Sequence, residues 1–124
     1  MRPGCSPWSA DRVTARITDI CLDARDPQTL ADWWCGALGY ERRDPDRTPP
    51  VAIRDPAGRG PLVWFNPVPE PKTVKNRVHF DVEGDRDTLL AAGATLLRAG
   101  VEEIHWDVLA DPEGNEFCCF APDA

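Results

Sequence analysis

Apolar and polar residues alternate strictly in RVHFDV, Arg77 to Val82, and this pattern predicts a β-strand with two different faces. Arg77, His79 and Asp81 share one face, and two valines and a phenylalanine share the other. Burial in a core explains the apolar face. The polar row can lie either in solvent or in a cavity, and the rest of the chain decides between these interpretations.

The segment before this strand has the pattern of one strand, one helix and three further strands. Ile17–Asp23 alternates as a strand. Asp26 and Pro27 are then typical of an N-cap and a first helical position, and Gly39 is typical of a helix end. The predicted buried stripe of the helix is Leu30, Trp33, Trp34, Ala37 and Leu38. The three strands are predicted near Tyr40–Asp44, Val51–Arg54 and Leu62–Asn66.

The same order of elements begins again after the proline-rich stretch PVPEPKTVKN. The strand at RVHFDV is followed by a short helix with Asp85 as its N-cap and Gly93 at its end. Three more strands are predicted near Ala94–Arg98, Ile104–Ala110 and Glu116–Phe120. The turn motif DPAG of the first half recurs as DPEG in the second. The sequence therefore predicts a duplicated β-α-β-β-β unit.

These patterns predict a loose N-terminal arm over residues 1–15 and a single domain over residues 16–122. Module one spans residues 16–67, a linker spans 68–76, and module two spans 77–122. The helix of a module covers one face of its sheet, so the other face is expected to meet the second module. The predicted fold is α+β, an open eight-stranded, barrel-like groove with the helices outside. The polar face of RVHFDV then lines the groove.

Composition excludes several classes of partner. The net charge of −7 argues against nucleic acid or an anionic membrane, because phosphate repulsion is not offset. The five cysteines are odd in number and include no C-x-x-C pair, so no disulfide framework or zinc knuckle is predicted. No run is long enough to span a membrane, and no secretory signal is indicated. We therefore expect a cytoplasmic protein with reduced thiols.

Three segments carry a resemblance to a known superfamily: LDARDPQTLADWWCGALGY, PVPEPKTVKNRVHFDV and ADPEGNEFCCF. The chain resembles the vicinal oxygen chelate (VOC) superfamily, specifically its glyoxalase-like domains of the glyoxalase, bleomycin resistance and dioxygenase type. The resemblance covers roughly Ile17 to Pro122 and implies the paired β-α-β-β-β fold. It also implies a homodimer, because members of the superfamily commonly dimerise and often build their grooves from two chains.

Metal-dependent members of that superfamily hold a divalent ion with one ligand from each of four strands. The resemblance places these ligands at Asp19, Val63, His79 and Cys118. Val63 has no donor atom, and the remaining set is unusual for magnesium, manganese or iron. Glu116 lies two residues before Cys118 on the same strand face and can replace it only by reaching along the strand. We expect no cofactor, and a divalent-metal enzyme that uses Asp19, His79 and one of the last two residues remains an alternative.

The candidate residues also have structural interpretations. His79 can be a cavity-wall histidine that is hydrogen-bonded to a neighbouring acid. A lone carboxylate in a core needs a partner, so Asp19 can form a salt bridge with Arg77. The paired cysteines near the end of the chain are more often small buried apolar residues than nucleophiles.

We predict a protein that binds a small organic molecule in the groove. His79 and Asp19 are the candidate catalytic residues, because they can polarise or deprotonate a substrate in a metal-independent lyase or isomerase, or in dioxygenase-type chemistry. The candidate ligand contacts are Val63, Phe65, Arg77, Asp81, Glu116 and Cys118. The alternative is a non-catalytic protein that binds an antibiotic or metabolite, as resistance-type members of the superfamily do.

Overall fold

The computed structural model describes residues 10–101 and 105–122. Its elements are β1 (Asp19–Ala24), α1 (Pro27–Leu38), β2 (Glu41–Arg42), β3 (Val51–Arg54), β4 (Leu62–Pro67), β5 (Phe80–Glu83), α2 (Arg86–Ala91), β6 (Thr95–Arg98), β7 (Trp106–Ala110) and β8 (Glu116–Phe120). Residues 1–9 of the predicted arm, and Ile104 at the start of one predicted strand, lie outside the described residues. No described helix combines the length and the apolar character needed to cross a membrane.

Each module contributes one four-stranded sheet. The strand order is β1-β4-β3-β2 in the first sheet and β5-β8-β7-β6 in the second. In both sheets the first and last strands of the module are parallel neighbours, and the other neighbours are antiparallel. Neither sheet closes on itself. The predicted duplication and the predicted α+β fold with an open groove are confirmed.

The ends of α1 lie where the capping residues predict them. Asp26 Oδ1 accepts a hydrogen bond from the backbone N–H of Thr29 at 3.1 Å, and Oδ2 accepts one from the Thr29 hydroxyl at 2.7 Å. These bonds hold the pKa of Asp26 below its ordinary value. Gly39 ends the helix with a φ of 70°, which side chains other than glycine rarely adopt.

The strand register decides which side chains face the helices and which face the opposite, concave side of each sheet. Val63 and Phe65 of β4 are 7% and 0% exposed and belong to the hydrophobic core. The prediction that Val63 and Phe65 line the groove is therefore wrong, because both side chains lie in the core. Because neighbours along a strand alternate, Trp64 lies on the concave side instead. A shift of one residue in the assumed alternation exchanges the two faces of a strand.

Helix α1 packs against both modules, which the sequence does not indicate. The ring of Trp34 is buried and lies 5.1 Å from Phe117 and 5.4 Å from Phe80, measured between centroids. Both phenylalanines belong to module two. Trp33 donates from Nε1 to the carbonyl oxygen of Ala92, also in module two, at 2.9 Å. One hydrophobic core therefore contains residues of both modules.

Asp111 anchors this contact from module two. Among the described residues, it is the only charged residue that is buried. Its Oδ2 accepts from Trp34 Nε1 at 3.0 Å, and its Oδ1 accepts from the backbone N–H groups of Glu113 and Asn115 at 2.9 and 3.0 Å. The Glu113 carboxylate accepts from the two backbone N–H groups that precede Pro27, at 2.7 Å each. The DPEG turn thus joins module two to the start of α1.

We expect Asp111→Ala to lower the free energy of unfolding by about 2–4 kcal/mol, because the variant leaves the buried N–H of Trp34 without an acceptor. Urea unfolding followed by tryptophan fluorescence measures the loss. Asp55→Ala is the matched control, since Asp55 begins the equivalent DPAG turn but its side chain accepts from the Ala57 N–H and pairs with Arg59 at the surface. The control should lose about 1 kcal/mol or less. Equal losses would contradict the role given to Asp111.

Candidate functional site

A groove of about 360 Å³ lies on the concave side of the second sheet. Its floor consists of alternate residues of β7 and β8 whose side chains point away from the core. We call this cavity the module-two groove. The residues that matter for its chemistry are His79, Asp81, Arg98, Trp106, Cys118 and Phe120.

A larger cavity of about 500 Å³ lies between the two modules. One wall is formed by residues 20–23 of β1, and the facing wall includes Arg77 and other residues that lead into β5. His79 and Glu116 line this cavity and the module-two groove as well. His79 therefore stands where the two cavities adjoin.

His79 immediately precedes β5 instead of lying within the predicted strand, because β5 begins at Phe80. Its Nδ1 lies 3.4 Å from Asp81 Oδ1 and 3.9 Å from Cys118 Sγ, and its side chain is 37% exposed. Both polar contacts involve Nδ1, so within the described part of the chain Nε2 is left for a ligand. A carboxylate beside one ring nitrogen orients the imidazole ring.

Cys118 is buried beneath His79, and its thiol is not activated. Burial, followed by the negative charge of Asp81 and a hydrogen bond to it, raises the pKa of the Cys118 thiol. Arg98 and Lys75 act in the opposite direction but do not reverse the shift. The thiol is therefore protonated at neutral pH and is a poor nucleophile.

Glu116 is held by the linker. Its Oε2 accepts from Lys72 Nζ at 3.0 Å, and its Oε1 accepts from the backbone N–H of Asn76 at 3.0 Å. Burial acts to raise the pKa of Glu116, but these hydrogen bonds outweigh it and hold the pKa below the ordinary value of 4.5. With its side chain 13% exposed and both oxygens bonded, Glu116 does not reach along the strand to replace Cys118.

Asp19 and Arg77 are not brought together with the polar groups of the groove. Asp19 Oδ2 accepts from Trp64 Nε1 at 3.1 Å, and Asp19 lines neither of the two cavities that contain His79. Arg77 lines the cavity between the modules and not the groove. Among residues 10–101 and 105–122, no salt bridge joins Asp19 and Arg77. The sequence predicted that Asp19 either shares a site with His79 or forms a salt bridge with Arg77. A single chain forms neither arrangement among its described residues.

The ligand positions implied by the VOC resemblance do not assemble into one site. Val63 lies in the core without a donor atom, and Asp19 is bonded on the other sheet. The residues present therefore do not fit the four-strand ion site of that superfamily. A different trio, His79, Asp81 and Cys118, has donor atoms within 4.8 Å of one another. An ion at this trio would have to displace the proton of a thiol whose pKa is raised.

Two aromatic rings form one wall of the groove. Trp106 and Phe120 are cross-strand partners with centroids 5.4 Å apart and an angle of 33° between their planes. Both side chains are half-buried, so part of each ring faces the cavity. The sequence offered a signal for Trp106, which falls within the predicted strand Ile104–Ala110. It offered a signal for Phe120 as well, since Glu116, Cys118 and Phe120 alternate along one strand.

Sequence reasoning also missed Arg98, which lines the groove from β6. The register of β6 shifts between Leu96 and Arg98, so simple alternation assigns this side chain to the wrong face. The segment contains no glycine or proline to indicate an irregular strand.

Comparisons with known proteins agree on the fold. A family model described as a glyoxalase-like domain matches residues 19–120. No curated protein matches the chain. A solved glyoxalase/bleomycin resistance protein/dioxygenase family enzyme from Burkholderia phytofirmans is 25% identical, with a TM-score of 0.63 over 85% of this chain and 97% of that one.

Two further solved structures resemble this chain at lower identity. A glyoxalase-related enzyme from Fulvimarina pelagi is 16% identical, with a TM-score of 0.62 over 86% of this chain and 88% of that one. A member of the glyoxalase/bleomycin resistance protein/dioxygenase superfamily from Sphaerobacter thermophilus is 17% identical, with a TM-score of 0.57 over 87% and 98%. At these identities the likeness concerns the fold alone.

We expect Glu116→Gln to be less stable than the wild type at neutral pH by about 1 kcal/mol, and equally stable in acid. The folded-state pKa of Glu116 is lowered, so its contribution is present above the ordinary value of 4.5 and is lost as the pH falls through the folded-state value. Urea unfolding at a series of pH values from about 7 to 3 measures the difference. Glu70→Gln, at an exposed position of the same linker, is the control. If the difference in unfolding free energy between Glu116→Gln and the wild type does not change with pH, Glu116 does not act through its charge.

Proposed function

This chain belongs to the family of glyoxalase-like domains, and from that membership we propose that it binds a small organic molecule in the module-two groove. We further propose that His79 acts there as the general base of a metal-independent lyase or isomerase. The observation that carries the proposal is the placement of His79, which lines the groove and has a carboxylate beside its Nδ1.

The chemistry follows from the two nitrogens of the ring. Nε2 of neutral His79 takes a proton from a carbon next to a carbonyl group, and Asp81, 3.4 Å from Nδ1, stabilises the imidazolium that results. In an isomerase the imidazolium returns the proton to the substrate at another position or on another face. In a lyase it gives the proton to the group that leaves.

Two other described side chains of the groove, Cys118 and Glu116, are not available as bases. The thiol of Cys118 is protonated, because burial raises its pKa. Glu116 is already bonded to Lys72 and to the backbone of the linker. The assignment of proton transfer to His79 is supported by this elimination as well as by its geometry.

Binding without turnover is the second candidate function. The aromatic wall of Trp106 and Phe120 favours it, because stacking on such a surface holds a flat molecule without any acid or base. The name of the Burkholderia phytofirmans relative describes an enzyme and supports the catalytic candidate. A thermal-shift screen of planar metabolites followed by a test for turnover of each hit distinguishes the two.

We expect His79→Ala to fold normally, because the ring is 37% exposed, and to lose catalytic turnover of a screening hit by about 10²–10⁴-fold. If the protein only binds, the variant should instead show a smaller ligand-induced rise in melting temperature. His105→Ala is the matched control, since His105 is exposed and does not line the groove. A large drop in the melting temperature of His79→Ala without ligand would mark His79 as structural and overturn its role.

We expect the purified protein to hold well below one divalent ion per chain, because the four ligand positions of the superfamily do not converge. Elemental analysis by mass spectrometry measures zinc, nickel, iron and manganese. A near-stoichiometric ion that disappears in both His79→Ala and Cys118→Ser would contradict the metal-independent mechanism and assign an ion to the trio at Asp81.

A further inference from the structure

A β-bulge determines which way Arg98 points. Leu96 of β6 lies opposite Leu109, which is fully buried in the core. The pairing then passes over Leu97, and Arg98 lies opposite Val108 on the concave side. Residues directly opposite each other share a face of the sheet, so the bulge places Arg98 in the module-two groove.

Without the bulge, Arg98 would lie opposite Asp107 on the other face of the sheet. The Asp107 carboxylate accepts there from the backbone N–H of Gly100 at 2.7 Å and lies 3.6 Å from the guanidinium of Arg86. The bulge therefore moves Arg98 away from a carboxylate and into a cavity. Among the residues that the structure describes, no carboxylate pairs with Arg98. Its guanidinium has five N–H donors, so an acidic group is a suitable ligand.

The charges of the groove also favour an anion. Lys72 neutralises Glu116 at 3.0 Å. Among the described residues of the wall, the remaining charged side chains are the cations Arg98 and Lys75 and the anion Asp81. The whole chain has a net charge of −7 and repels anions at long range, so these local cations are what makes an anionic ligand possible.

The aromatic wall specifies the rest of the ligand. Trp106 and Phe120 lie on the same concave face as Val108, the strand partner of Arg98. Their centroids are 5.4 Å apart, and the two rings together offer a surface for one flat ring system. The volume of about 360 Å³ lies within the usual range for small-molecule sites, about 300–1,000 Å³.

From these observations, and resting on the function proposed above, we propose that the ligand of the module-two groove is a planar organic anion, with its acidic group on Arg98 and its ring against Trp106 and Phe120. The proton that His79 removes then comes from a carbon of this anion. Arg98 is a specificity-determining residue, which selects the ligand by charge and takes no part in proton transfer.

The test compares three probes with the same ring system and different charge: 2-naphthoate, 2-naphthamide and 2-naphthylmethylammonium. We expect titration calorimetry to give 2-naphthoate a dissociation constant about tenfold or more below that of the amide, because the carboxylate forms an ion pair with the guanidinium and the uncharged amide does not. The ammonium probe should bind most weakly. Trp106→Ala should weaken all three and so locate them in the groove.

Arg98→Gln should remove the preference for 2-naphthoate over the amide and leave the affinity for the amide unchanged. Arg59→Gln is the control, because it changes the net charge equally at an exposed turn of module one. Equal affinities of the acid and the amide, or equal effects of the two variants, would overturn the inference and leave the proposed function intact. Failure of all three probes, together with a thermal-shift screen without any hit, would overturn the proposed function and the inference with it.

Discussion

The hydrogen bond from the indole N–H of Trp34 to the buried carboxylate of Asp111 is the contact on which the rest of this structure depends. A buried donor without a partner is costly, so the Trp34 indole N–H requires this acceptor. The bond fixes α1 against the second sheet, where the Trp34 ring packs between Phe80 and Phe117. The same ring lines the cavity between the modules. A change in the angle between the modules would therefore break the bond between Trp34 and Asp111, and it would also change the shape of the cavity.

The groove is notable for which of its polar groups are already occupied. Glu116 is bonded to the linker, and the thiol of Cys118 keeps its proton. Among the described groups of the groove, the two that the proposed function uses are Nε2 of His79 and the guanidinium of Arg98. One is suited to proton transfer and the other to recognition of charge. This division is the physical basis of the function proposed here. It replaces the ion site that metal-dependent members of the superfamily build from four strands.

Local rules were sufficient to predict most of the fold from the sequence. The N-caps Asp26 and Asp85 and the helix end at Gly39 fix the helices, and alternation and turn motifs fix the strands. His79 and Asp81, two of the three residues that the sequence assigns to one strand face, both line the module-two groove. The remaining features depend on contacts between residues far apart in the chain. The pairing of β4 with β1 and β3 determines which face of the sheet carries Val63. The position of Arg98 depends on a bulge that no residue type in the segment indicates.

The two DPxG turns show how far the copies of the original unit have diverged. Asp55 pairs with the exposed guanidinium of Arg59, whereas Asp111 is buried and accepts from an indole of the other module. Module two now lacks a cover of its own for Phe80 and Phe117, because that cover is a tryptophan of module one. Neither module can therefore return to being an independent unit without changes to its core. A recombination that separated the halves at the linker would leave two aromatic rings and a carboxylate exposed on a half that is no longer a domain.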